Sequence, residues 1–154
     1  VVFYNKPNRR AFSAPGRESR RQEADIMQIH QSAEDYLETI LMLNQRMGRV
    51  RSIDVVNELG YTKASVSIAM KKLRENGYIA VDGEGNLTLL EPGREIAERI
   101  YSRHRLLTHF FVQLGVDEEV AAEDACKAEH ILSEQTLEKI REYALLHDAQ
   151  DSVK

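Results

Sequence analysis

Residues 126–130 place three metal-binding side-chain types close together. Cys126, Glu129 and His130 are spaced i, i+3 and i+4, so they share one face if this segment is helical. Thiolate, carboxylate and imidazole groups are all ligands of transition metals. The spacing alone is weak support for a metal site, because a buried cysteine beside a solvated Glu–His pair gives the same pattern.

Further candidate ligands lie on two other predicted helices. His104 shares the inward face of its helix with Ile100 and Leu107, a position more typical of a core histidine than of a ligand. Asp35 and Glu38 are i, i+3 neighbours, although Asp35 can instead cap its helix and Glu38 can lie at the surface. Together the six side chains offer donors that suit Mn²⁺, Fe²⁺, Co²⁺ or Zn²⁺ better than Ca²⁺ or Mg²⁺.

The middle of the chain predicts a unit that binds DNA. Ser52 can cap a helix that ends at Gly60, and Thr62 can cap a second helix that ends at Gly77. Two helices separated by so short a glycine-containing turn are typical of a helix-turn-helix. Short strands at 78–81 and 87–90, joined by a glycine-containing turn, would form a wing directly after it.

The second of these helices would enter the major groove with its N-terminal end, where small and hydroxylated side chains allow close approach to base edges. Basic side chains around it would contact phosphates. The alternative is a helical domain whose basic face is only solvated, and Asp82 and Glu84 make the wing acidic. The predicted DNA-binding residues are Arg51, Thr62, Lys63, Ala64, Ser65, Ser67, Lys71 and Lys72.

Composition limits the class of protein. The chain has 154 residues, of which 42% are apolar, and its one cysteine excludes an internal disulfide. No apolar run is long enough to cross a bilayer, so we expect a cytoplasmic protein with no membrane partner. The net charge of −4 is unevenly spread, with seven basic and six acidic residues over 49–94 but seven basic and thirteen acidic over 95–154.

Residues 32–147 resemble the metal-dependent repressors of the diphtheria toxin repressor and manganese transport regulator family. The resembling stretches are residues 33–40 (AEDYLETI), 62–67 (TKASVS), 103–107 (RHRLL) and 124–130 (DACKAEH). The resemblance implies a transcriptional repressor and not an enzyme, with no small organic substrate. It also implies a homodimer that binds palindromic, double-stranded operator DNA when loaded with metal and so controls metal homeostasis genes.

The resemblance also implies a mainly α fold, in which a winged helix-turn-helix domain precedes an all-helical dimerisation and metal-binding domain. We place the first domain at 27–91 and the second at 92–147. Residues 1–26 are predicted to be a disordered tail or extension, and residues 148–154 a polar tail. The expected helices cover 32–46, with Ser32 as N-cap, then about 92–114, 117–132 and a last one after Ser133.

Carried over by motif, the family's ligand positions are Asp35, Glu38, His104, Cys126, Glu129 and His130. Manganese-responsive members resemble the chain at Asp35 and Glu38 but usually have Glu where Cys126 stands. Iron-responsive members resemble it at Cys126 but usually have Met where Asp35 stands. The expected cofactor is therefore Mn²⁺ or Fe²⁺, with Co²⁺ or Zn²⁺ as alternatives. The alternative function is a winged-helix regulator that senses redox state through Cys126.

Overall fold

The structure is a computed structural model that describes the backbone of residues 17–151 and the side chains of residues 30–148. The chain from Gln31 onward forms one compact unit, in which all contacts described below lie. Within the described range, the mainly α fold with a two-stranded wing is confirmed. The elements are α1 (Arg17–Met47), α2 (Ser52–Leu59), α3 (Lys63–Glu75), β1 (Ile79–Val81), β2 (Leu87–Leu89), α4 (Glu91–Gln113), α5 (Glu118–Ala128) and α6 (Glu134–Asp151).

Helix α1 begins earlier than the sequence indicates. Ser32 lies inside the helix rather than at its N-cap, and residues 17–26, for which a disordered tail or an extension was expected, are helical. The physical reason is that residues 17–31 contain no glycine or proline and are rich in Glu, Gln and Arg, which favour helix. The expectation for residues 1–16 lies outside the described residues. Gly48, with φ of 79°, follows the last residue of α1.

The helix-turn-helix forms where the sequence predicts it. Gly60 ends α2 with φ of 67°, and Thr62 caps α3 by accepting a hydrogen bond from the Ser65 amide at 3.2 Å. The N-cap of α2 is Arg51 rather than the predicted Ser52, because the Asp54 carboxylate accepts a hydrogen bond from the Arg51 amide at 2.8 Å. The inward face of α3 is formed by Val66, Met70 and Leu73, which are all buried.

The wing is an antiparallel hairpin packed on the helix-turn-helix. Its register pairs Ile79 with Leu89 and Val81 with Leu87. The Leu87 amide also donates to the Val50 carbonyl at 2.7 Å, which fixes the hairpin to the segment before α2. The buried core of this half is formed by Tyr36, Leu37, Ile40, Leu41, Leu43, Val50, Val55, Val66, Met70, Leu73, Ile79, Leu87, Leu89 and Ala97.

Helix α4 belongs to both halves of the unit. At its N-terminal end Gly93 lies against the strand entry, where an added Cβ would be 2.2 Å from the Tyr78 carbonyl oxygen. At its other end Leu107 packs with Ala125 of α5 and Leu137 of α6 in a second apolar cluster. The long helix therefore connects the wing directly to the C-terminal helices.

Two C-terminal boundaries differ from the prediction. Helix α5 ends at Ala128 rather than near Leu132, so Glu129 and His130 lie just beyond its last residue. Helix α6 continues to Asp151, so residues 148–151 of the expected polar tail are helical. No helix among the described residues is long and apolar enough to span a membrane.

Candidate metal centre

The candidate ligands converge from three places in the fold. Asp35 and Glu38 come from α1, His104 from the middle of α4, and Glu129 and His130 from the end of α5. Glu129 is fully buried and Glu38 is only 7% exposed. Three of these residues, Glu38, His104 and Glu129, each offer one ligand atom. The three atoms lie within 4.8 Å of one another, which is close enough to share an ion.

The Glu129 carboxylate lies between the two imidazoles. His104 Nδ1 is 2.9 Å from Glu129 Oε2, while His130 Nε2 is 3.3 Å from Glu129 Oε1. His130 Nε2 is also 2.9 Å from Asp35 Oδ1. These contacts join Asp35 and His130 to the Glu38, His104 and Glu129 group, so five of the six predicted ligands form one cluster.

Three of the possible metal-ligand atoms in this cluster have no hydrogen bond of acceptable geometry among the described residues. They are Glu38 Oε1, Glu129 Oε1 and His130 Nε2, and all three are buried. A buried polar atom without a partner is costly, and it is rare in native proteins. Unpaired oxygen and nitrogen atoms of this kind are the ligand types that suit a divalent transition ion.

The pKa values show how strongly the carboxylates interact. Burial, and then repulsion from Glu129, raise the pKa of Glu38 to about 7. Burial alone would lower the pKa of His130, but the carboxylates of Asp35, Glu129 and Glu34 outweigh it and raise the pKa to about 10. The hydrogen bond with Glu129 is the main cause of a raised pKa at His104. Protons therefore compensate the carboxylates, and a bound ion would have to displace them.

Cys126 lies beside the cluster rather than among its closest donors. The residue is exposed. Partial desolvation of the thiol, together with the charges of Glu129 and Asp35, raises its pKa to about 11. Redox-sensing cysteines need a low pKa, because the thiolate is the reactive form. The alternative function, redox sensing through Cys126, is unsupported.

Sequence reasoning missed the residues that surround the ligands. Glu34 Oε2 is 2.8 Å from His130 Nδ1, across 96 positions of the chain. Arg103 donates to the Glu129 carbonyl at 3.1 Å and also forms an ion pair with Glu134. No spacing rule connects residues so far apart, and the only available signal was that Glu34 precedes a candidate ligand.

The predicted DNA-binding residues form an exposed surface on and near α3. Two of the hydroxyls are partly committed to the cap, because Thr62 Oγ1 donates to Ser65 Oγ at 2.8 Å. Lys71 is 3.9 Å from Glu75, a loose contact between exposed groups that leaves the ammonium accessible. The exposed residues are Arg51, Thr62, Lys63, Ala64, Ser65, Ser67, Lys71 and Lys72.

The two acidic residues of the wing, Asp82 and Glu84, have partners within the wing turn or in the segment just before α2. The Asp82 carboxylate accepts from the backbone and side-chain amides of Asn86, at 2.9 and 2.8 Å, and from the Glu84 amide. These hydrogen bonds lower the Asp82 pKa. Glu84 lies 3.6 Å from Arg49. The acidic wing therefore has a structural explanation in the turn itself.

Two family models together cover most of the described chain. The iron dependent repressor N-terminal DNA binding domain matches residues 28–87, and the iron dependent repressor metal binding and dimerisation domain matches residues 90–146. The chain belongs to the iron-dependent repressor family. These proteins are metal-dependent transcriptional repressors, so the resemblance inferred from the sequence is confirmed.

Individual relatives agree with this assignment. An uncharacterized HTH-type transcriptional regulator of Methanocaldococcus jannaschii is 36% identical over 115 residues, which is 73% of this chain and 92% of the relative. The HTH-type transcriptional regulator MntR of Bacillus subtilis is 32% identical over 123 residues, covering 80% of this chain and 87% of that protein.

Solved structures show the same fold. A manganese-dependent transcriptional repressor in complex with manganese matches with a TM-score of 0.67 and 28% identity, over 73% of this chain and 52% of that chain. The manganese regulator SloR matches with a TM-score of 0.64 and 25% identity, over 72% of this chain and 52% of its own. The chain thus spans about half the length of these solved structures.

Proposed function

We propose that this protein is a metal-activated repressor that binds palindromic operator DNA as a homodimer and controls metal homeostasis genes. The observation that carries the proposal is the origin of the buried donors. Asp35 and Glu38 lie on α1, whose apolar residues belong to the winged-helix core, whereas His104, Glu129 and His130 lie on the C-terminal helices or at their ends. The cluster therefore joins the part that would bind DNA to the part that would form the dimer.

Five residues would hold the ion: Asp35, Glu38, His104, Glu129 and His130, with Cys126 at the edge of the site. When bound, the ion supplies positive charge and coordination bonds among carboxylates that otherwise repel one another. Oxygen donors dominate this set, which suits Mn²⁺, whereas participation of the Cys126 thiolate would favour Fe²⁺, Co²⁺ or Zn²⁺. We therefore propose Mn²⁺ or Fe²⁺ as the physiological metal. The solved manganese complex of a relative supports Mn²⁺.

The candidate ligands on α1 and the predicted recognition helix α3 are connected through one buried core. Leu37 and Ile40 flank Glu38 on α1 and are buried in the same core as Val66 and Met70 of α3. Fixing α1 against α4 therefore restricts the orientation of α3 relative to the C-terminal helices. In a homodimer this restriction sets the distance between two recognition helices, which must match successive major grooves.

Binding of DNA would be divided between phosphate contacts and base contacts. Lys63, Lys71 and Lys72 supply charge along α3 and Arg51 adds charge beside the wing, which gives affinity without sequence information. Ala64 and Ser67 are small and exposed, so the helix can approach base edges closely.

The test is metal-dependent DNA binding by the purified protein. A duplex selected from a random library in the presence of Mn²⁺ would be titrated by fluorescence anisotropy with Mn²⁺, anaerobic Fe²⁺, Co²⁺, Zn²⁺ or chelator, at fixed salt. We expect at least one metal to raise affinity by about tenfold or more. Asp35→Ala should remove this effect, while Glu95→Ala, an exposed substitution on α4, should keep it.

Sedimentation of the same samples tests the dimer. We expect the selected sequence to be palindromic and two protein chains to bind each duplex. Equal DNA affinity with chelator and with every metal would refute the proposed activation, and a single protomer on each duplex would refute the proposed homodimer.

A further inference from the structure

The His130 imidazole has a different environment at each of its two nitrogens. Nε2 faces Asp35 Oδ1 at 2.9 Å and Glu129 Oε1 at 3.3 Å, inside the donor cluster. Nδ1 faces away from it and is 2.8 Å from Glu34 Oε2. The side chain is 3% exposed, so water cannot replace either contact freely.

An imidazole that binds a metal uses one nitrogen and donates a hydrogen bond from the other, and the partner of that second nitrogen fixes the tautomer and the ring orientation. Glu34 is placed to be this partner. It accepts from Nδ1 and so leaves Nε2 as the nitrogen that can bind the ion.

Glu34 is itself held in place by a second contact. Its other oxygen, Oε1, lies 3.4 Å from Arg99 Nη2 on α4, and the Glu34 side chain is 24% exposed. Because one oxygen contacts His130 and the other contacts Arg99, Glu34 is held outside the donor cluster although it directly precedes Asp35 in sequence.

We propose that Glu34 is a positioning residue for the metal centre, which orients His130 so that Nε2 is its metal-binding atom, and that Arg99 supports Glu34 in this role. The inference rests on the proposed metal-binding function and deepens it. Glu34 acts through His130 and does not itself bind the ion.

The test combines metal affinity with a double-mutant cycle. Mn²⁺ affinity would be measured by competition with a fluorescent chelator for the full chain and for Glu34→Ala, His130→Ala and the double variant. Glu34→Ala should weaken binding by about 10- to 100-fold. In the His130→Ala background the same change should have little further effect, because the residue through which Glu34 acts is gone.

Two further variants separate orientation from general charge or folding effects. Glu34→Gln keeps an acceptor for Nδ1 and should recover part of the lost affinity, whereas Glu95→Ala removes an exposed carboxylate from α4 and should bind as the unmodified chain does. Circular dichroism of the metal-free variants tests folding. If Glu34→Ala does not fold, the smaller loss of Mn²⁺ affinity expected of Glu34→Gln is measured in the unmodified and His130→Ala backgrounds instead.

A spectroscopic measurement reports the tautomer directly. Long-range ¹H–¹⁵N correlation spectra of the Zn²⁺-loaded protein should show His130 protonated at Nδ1 and bound to metal through Nε2. Unchanged affinity in Glu34→Ala, an equal loss in both backgrounds, or metal at Nδ1 would overturn the inference. If His130→Ala binds Mn²⁺ as tightly as the unmodified chain, the proposed metal site itself fails, which is a separate result.

Discussion

Replacing Glu38 by glutamine should make the metal-free protein more stable while weakening metal binding. Glu38 is nearly buried, its Oε1 has no hydrogen-bond partner among the described residues, and it lies close to Glu129. Glutamine has almost the same shape, removes the charge, and adds an amide group that can donate to the unpaired Glu129 Oε1. The side chain is thus unfavourable for folding and is retained, on our proposal, for the ion.

The size of the effect follows from the Glu38 pKa. A rise from 4.5 to about 7 corresponds to about 3 kcal/mol of folding free energy. Between these two pH values the unfolded chain releases a proton that the folded chain keeps, so the stability of the metal-free protein falls as pH rises through this window. The loss of folding free energy caused by Glu38 is complete above pH 7 and absent below pH 4.5. Glutamine does not titrate, so the variant should be more stable by up to about 3 kcal/mol at about pH 8 and by little at about pH 4.5.

Urea unfolding with chelator at both pH values measures this difference, and the same titration with Mn²⁺ measures the stabilisation by metal. We expect Glu38→Gln to lose much of the increase that Mn²⁺ gives the unmodified protein. Glu98→Gln, on the exposed surface of α4, is the matched control and should show neither effect. A variant that is less stable than the unmodified chain at the higher pH, or whose advantage is the same at both pH values, would refute the argument.

Three other substitutions test separate parts of the structure. Gly93→Ala should lower the free energy of unfolding by about 1–3 kcal/mol in urea titrations, because the new Cβ would be 2.2 Å from a backbone oxygen; no loss would show that α4 can move away from the wing. Lys71→Ala should weaken DNA binding similarly for all sequences and reduce the slope of log affinity against log salt by about 1 in anisotropy titrations, whereas a change confined to certain sequences would indicate base contact. Cys126→Ser should leave Mn²⁺ affinity almost unchanged in calorimetry, and a loss as large as that of Asp35→Ala would make the thiol a ligand.

The helix-turn-helix and the wing could be predicted because local residues determine them. Gly60 and Thr62 mark the turn by backbone conformation and by capping, and these effects act within a few residues. The ends of α1 and α5 could not be predicted in the same way. Arg103 binds the Glu129 carbonyl, which a continuing helix would have paired with the amide four residues later, so a tertiary contact accompanies the end of α5.

The candidate ligands were predicted by residue type and by the resemblance, but their arrangement was not. Asp35 was equally suited to cap a helix, and only the extension of α1 to Arg17 removes that role. Glu34 had no predictable function, because its partner His130 is 96 residues away. The position of Cys126 at the edge of the cluster likewise depends on how α5 meets α1 and α4, which no spacing within α5 determines.

Before any ion binds, the His130 imidazole already supplies positive charge to some of the carboxylates, because they raise its pKa to about 10. The charged His130 ring lies 2.9 Å from Asp35, so this contact holds α1 against the segment after α5 even without an ion. Metal loading is therefore an exchange of protons for an ion rather than the neutralisation of bare charges. A ligand shifts an equilibrium only by its differential affinity for the two states. Both metal coordination and the imidazolium contacts restrict the position of α1. A metal-dependent gain in DNA affinity must then come from the difference between these two restrictions.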